Sequence, residues 1–208
     1  MNPFDQLSHE LQAIAPFRIR YKDEAWEMQL LNVLVFWFCP GFLSHFTTVI
    51  GSTIYFPSRD YVARYPRSAM RSLAHEAVHL RDAHRLSFPL FMALYLFPQG
   101  LALGVLLFPF LGPWALLFLL FLLPIPAPGR FWLEARAYAM DYLTAEPGRQ
   151  AATLDWAVAH FSGWNYYRMF PFSDWVRAAI VRHARQAEGG QDKDLMKILL
   201  IYELIAEG

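Results

Sequence analysis

Between Arg85 and Arg130 the chain carries 44 consecutive residues, Leu86 to Gly129, without one charged side chain. Thirty-one of them are apolar. A buried helix of a soluble domain uses roughly a dozen such residues, whereas a bilayer crossing needs about 20. The run therefore has the length for two crossings, or for one long crossing and a loop. It is apolar all round, which excludes an amphipathic helix lying in the membrane interface. Pro98-Gln99-Gly100, Pro109 and Gly112-Pro113 interrupt it unevenly, which predicts kinked or unequal helices, or a hairpin that enters and leaves the same face. The alternative is an apolar hairpin buried in a soluble core or in an oligomer.

The rest of the composition narrows the class. Of the 208 residues 56% are hydrophobic and 17% charged, which excludes a disordered chain. Eighteen basic residues balance eighteen acidic ones, so a nucleic-acid partner is not expected. The lone cysteine, Cys39, rules out an internal disulfide framework and a cysteine zinc site. The opening Met-Asn-Pro-Phe-Asp does not read as a signal peptide. A second uncharged stretch, Met28 to Ser58, reads as a mostly buried helix over Trp26–Phe38. A strand or hairpin follows over Thr47–Phe56, around Gly51-Ser52. Further helices are predicted over Ser68–Arg85, Phe131–Thr144, Ala151–His160 and Asp192–Ala206. Another runs from an N-cap at Ser173 to Arg185, and Phe161–Phe172 reads as an aromatic loop.

His75-Glu76-Ala77-Val78-His79 lies inside the helix predicted over Ser68–Arg85. Histidines at i and i+4 project from one face, so two imidazoles can reach one Zn²⁺. Glu76 sits about 100° further round the helix. From there it can take a proton from a zinc-bound water and pass it to a leaving amine. With seven His and nine Glu in 208 positions, chance supplies roughly 0.01 such matches.

Catalytic zinc takes three protein ligands and leaves one position open. His84, five residues beyond His79, points about 140° away from it and is a poor ligand. His45, His160 and His183 have no supporting local pattern. Glu134 is the preferred third ligand. Its helix carries small residues at Ala135, Ala137 and Ala139, which permit close approach to another backbone. Glu134, Tyr138 and Asp141 share a face at i, i+4, i+7, where an aromatic hydroxyl and a second carboxylate would suit a metal site. The competing reading makes Glu134 a surface carboxylate paired with Arg130 or Tyr138.

The motif, the apolar hairpin after it and then Glu134-Ala135-Arg136-Ala137 together resemble the membrane gluzincins of the HtpX and CAAX-prenyl-protease type. The resemblance covers Thr47 to Tyr142. It implies an α+β, mostly helical fold: a zincin-like core with a small β-sheet or hairpin. Residues 1–208 would form one metallopeptidase domain, with 86–129 inserted as a transmembrane hairpin between the two zinc-ligand helices. It further implies zinc held by His75, His79 and Glu134. Tyr138 stands where that family has Asp, so Asp141 or Asp82 would take the carboxylate's place.

The expected activity is hydrolysis of polypeptides, membrane proteins among them, by zinc-activated water with Glu76 as general base. Tyr138, His160, Tyr166, Tyr167 and Arg168 are candidate oxyanion donors, and Tyr138 is the one assigned a catalytic role. Thr53–Phe56 is the candidate edge strand for an extended substrate. A shared zinc places both ends of the apolar run on one side of the bilayer. Arg81, Arg85, Arg130 and Arg136 mark that side as cytoplasmic, at an inner or cytoplasmic membrane. The alternatives are a non-catalytic membrane scaffold or sensor with a structural zinc, and a soluble gluzincin whose apolar hairpin is masked.

Overall fold

The computed structural model describes residues 1–35, 43, 47–164, 168 and 170–206. The elements, in chain order, are α1 (Pro3–Gln12), β1 (Arg18–Tyr21), α2 (Trp26–Val35), β2 (Thr48–Ile50), β3 (Thr53–Phe56), α3 (Arg59–Arg64), α4 (Pro66–Leu86) and α5 (Phe88–Leu96). A 3-10 segment (Gln99–Leu107), α6 (Phe108–Leu111) and a second 3-10 segment (Gly112–Leu122) follow. The chain ends with α7 (Pro128–Leu143), α8 (Gln150–Ser162), α9 (Ser173–Glu188) and α10 (Lys193–Ala206). Among the described residues it is mostly helical, with one three-stranded sheet. It forms two compact units, Met1–Arg81 with Asp194–Gly208, and Asp82–Lys193, so the division falls inside α4.

In the first unit β3 is the central strand. β1 pairs with it in parallel, Ile19 opposite Ile54, and β2 pairs with it antiparallel, Val49 opposite Ile54. Thr53–Phe56 is therefore not an edge strand. The expectation failed because β1, Arg-Ile-Arg-Tyr, is short and half charged, and its partner lies more than thirty residues away in sequence. Gly51, at φ +60°, makes the β2–β3 turn, a conformation that costs glycine little. Phe56 is fully buried, and its ring meets Phe4 of α1 edge-on at 5.2 Å. α2 also departs from expectation, since Met28 is buried beside Ala25 and Tyr55 while Trp26, Leu30 and Val33 are exposed.

α4 is uninterrupted over 21 residues from Pro66. Its buried face runs through Ala69, Met70, Leu73, Ala74, Ala77 and Val78, the spacing of an amphipathic helix. It stops where Ser87 takes φ +69° ahead of Pro89. Arg81 fastens its last turns to α10 by donating from Nε to Asp194 at 2.9 Å.

In the second unit α7 is the central element, packed by α5, α8 and α9. Eight consecutive residues, Leu133 to Met140, are buried. Only a helix covered on all sides does that, and the small Ala135, Ala137 and Ala139 let its neighbours come close. α9 begins at Ser173 itself, with Phe172 at the cap position and no side-chain cap bond, so Ser173 is not the N-cap.

The apolar run is α5 followed by a folded hairpin. Gln99–Leu122 is 24 residues long and holds an 18-residue stretch of mean hydropathy 2.4 of which only 6% is buried, so by length and composition it is apolar enough to cross a membrane. Its two 3-10 segments pack against each other, however, with the reversal at α6 and Gly112, which has φ +55°. Gly104 sits so close to Phe118 of the opposite segment that an added Cβ would lie 2.3 Å from the ring. At about 2 Å rise per 3-10 residue the limbs are roughly 18 and 22 Å long, shorter than a hydrocarbon core of about 30 Å. Phe110 and Trp114, near the reversal, are 84% and 74% exposed.

Candidate metal centre

The two histidines come from the middle of α4, where the helix is unbroken on both sides. Their rings lie edge to face, 5.1 Å apart and inclined at 72°. His79 is buried and His75 half-buried. Glu76, half-buried, lies between them in sequence. His84 is exposed in the last turn of the same helix.

Glu134 is no surface carboxylate: it is 1% exposed on the buried stretch of α7. Burying a carboxylate is costly unless it is paired and hydrogen-bonded. Two groups meet that need. The Tyr95 hydroxyl donates a short hydrogen bond to Oε1, and the Arg130 guanidinium, one turn earlier on α7, lies 3.9 Å from the same oxygen. Arg130 also lies over the Tyr95 ring at 4.6 Å. α5 reaches this position because Gly129 faces the Leu94 backbone, where an added Cβ would sit 2.4 Å from the carbonyl oxygen.

His75, His79 and Glu134 form a group that could hold a metal ion. Each offers one ligand atom, and these atoms all lie within 4.8 Å of one another. Two imidazole nitrogens and one carboxylate oxygen are donor types that suit a divalent metal ion. Tyr95 supports the carboxylate from behind, as outer partners do in such sites.

Tyr138 is buried with its ring against Trp156 and Phe161, at 6.3 and 6.0 Å. His160 stacks on Trp156 at 4.9 Å; burial lowers its pKa and the Glu134 carboxylate opposes that shift. Asp82 is buried against Arg136, which also binds Asp192 at 2.9 Å, so its charge is committed to that pair. Asp141 is half-buried. His183 lies against Trp132 in the second unit. Arg168 stands 5.7 Å over the Trp164 ring. Cys39, His45, Tyr166 and Tyr167 lie outside the described residues.

Tyr95 was absent from the sequence-based site. It is the lone tyrosine in the uncharged run, and an isolated polar side chain in such a run is a signal of function. Tyr95→Phe is expected to weaken binding of a metal ion at this group about 10–100-fold while leaving the helices intact. Gly129→Ala, which forces α5 away from α7, should act in the same direction and also reduce stability by about 1–3 kcal/mol. Chelator competition and thermal unfolding on both variants check this.

Comparison of the chain with known protein families, with curated proteins and with solved structures finds no match.

Proposed function

We propose that this chain is a zinc-dependent metallopeptidase of the gluzincin kind, held at a membrane and acting on polypeptides. The observation that carries the reading is the convergence of His75, His79 and Glu134 around a helix that also bears Glu76. A structural zinc has no use for a carboxylate base beside its histidines. Zn²⁺ in this group would supply Lewis-acid polarisation of a scissile carbonyl and make a water molecule more acidic.

The chain's own residues do the rest. His75 and His79 present their ring nitrogens from one face, and α4 fixes their separation. Glu134 adds the negative charge, with Tyr95 and Arg130 fixing its orientation. Glu76 is not among the three proposed ligands and would act as general base, accepting a proton at its carboxylate and delivering it to the leaving amine. His160 and Tyr138 remain the candidate oxyanion donors. An extended substrate adding to the sheet would use an outer strand, β1 or β2, since β3 is paired on both sides.

Membrane attachment rests on the exposed apolar hairpin, a surface too large and too apolar for a soluble monomer. An aromatic cluster starts at Phe131, just beyond the run in sequence. Phe131, in the first turns of α7, stacks on Phe170 at 3.9 Å; Phe170 touches Phe172 and Trp175, which are exposed. Trp rings favour the lipid–water boundary. We place the zinc group on the cytoplasmic side. Arg136 drops out of the charge argument for that side because it is buried in an ion pair. Arg85 is exposed and keeps its place in that argument.

Zinc analysis of the purified chain tests the metal. One zinc per chain is expected, lost after dialysis of Glu134→Ala; full occupancy in that variant would overturn the ligand set. Flotation with lipid vesicles tests the membrane. Replacing 99–122 by a short polar loop should abolish flotation. Single cysteines at Arg85 and Arg130, in a Cys39→Ser background, should be labelled from the same face of the bilayer. Labelling from opposite faces would overturn the in-and-out path of the hairpin.

A further inference from the structure

The second unit contains a basic cavity distinct from the metal group. Its volume is about 320 Å³, within the range of small-ligand sites. Arg136 and His183 form its buried part, Trp132 a wall, and Arg85 and Arg182 its exposed rim, joined by Gln186 and Asp192. Three guanidiniums thus meet here against the carboxylates of Asp192 and, behind Arg136, Asp82.

His183 is the unusual member. It is 6% exposed, yet neither ring nitrogen has a hydrogen-bond partner; Gln186 lies beside the ring without completing a bond of ordinary geometry. Buried polar atoms left this way are rare and call for a partner from outside the chain. Burial first, then Arg136 and Arg182, push its pKa down to about 4, so the imidazole is neutral and offers one N–H donor.

We propose that this cavity binds a phosphate group, with Arg85 and Arg182 closing on its oxygens, the His183 imidazole donating from the buried end, and Trp132 covering an attached organic moiety. Guanidiniums suit phosphate because their paired N–H groups match two of its oxygens. A carboxylate would leave most of the converging donors unused. The phosphate can come from a soluble ester or from a lipid headgroup.

Calorimetry with inorganic phosphate on the full chain in detergent tests the site. Saturable binding is expected, weakened about tenfold or more in Arg182→Gln and in Arg85→Gln, as for loss of a charged hydrogen bond. Arg177→Gln, on the same helix but paired with Asp155 outside the cavity, should bind as the unaltered chain does. The ¹⁵N resonances of the His183 imidazole should shift on phosphate addition while those of the exposed His9 stay in place. Vesicles with and without phosphatidic acid separate the sources. Release of the protein from phosphatidic acid by inorganic phosphate assigns a lipid headgroup. Equal flotation on both vesicles, with phosphate still bound, assigns a soluble ester. No saturable binding, equal binding in all three variants, or acetate binding as tightly as phosphate overturns the proposal.

Discussion

Glu76→Gln is expected to lower peptide hydrolysis by about 10²–10⁴-fold with zinc content and fold unchanged. Glu76 is not one of the three proposed ligands, so its replacement leaves the donor group of His75, His79 and Glu134 intact. Glutamine is nearly isosteric and sits as well on α4 as glutamate does. What disappears is a carboxylate able to take a proton and return it. The measurement is the abundance and fragment pattern of membrane proteins in cells carrying either form, with zinc content determined in both. Equal fragment patterns at equal zinc content would favour a scaffold or sensor over an enzyme.

Arg136→Met is expected to destabilise the second unit by about 3–5 kcal/mol, because it removes the guanidinium that pairs with the buried Asp82. Asp82 is 1% exposed. Arg136 donates to Asp82 from Nη1 and to Asp192 from Nε at 3.2 Å and from Nη2 at 2.9 Å. Burial works against the Arg136 charge, but the two carboxylates outweigh it and hold the guanidinium above its ordinary pKa. For a chain of this size a loss of that order lowers Tm by about 10 °C. Adding Asp82→Leu to Arg136→Met should restore much of the stability, since an apolar replacement of a buried pair is often neutral. Asp192 is left facing the cavity, where water can reach it. Thermal unfolding in detergent of both variants decides. A single variant as stable as the unaltered chain would mean that the ion pair contributes nothing.

The local rules of the chain placed most helices within a few residues. α4 and α7 were legible from periodicity and small-residue spacing, and the β2–β3 hairpin from β-branched residues around Gly51-Ser52. α1 and β1 were not read. α1 is a ten-residue helix capped by Asn2, whose Oδ1 accepts from the Asp5 backbone at 2.8 Å. β1 pairs in parallel with a strand far along the chain, a partner that no local pattern names. That missing strand is what turned β3 from an edge into a centre. The hairpin's existence followed from its lack of charge. Its reversal at Gly112 and its two short 3-10 limbs depend on Gly104 meeting Phe118, a contact between residues fourteen apart.

By itself the sequence determined the pair His75 and His79 on one face of α4, with Glu76 beside them, because i, i+4 spacing on a helix is a local property. It also named Glu134 as the third candidate. Only the tertiary structure decided that Glu134 is buried, that Tyr95 and Arg130 hold it, and that Asp82 serves Arg136. Glutamate and arginine two residues apart on α7 look alike in the sequence as surface charges. They differ in partners because α7 is covered on every side, and a buried charge persists only where packing brings its counter-charge within reach.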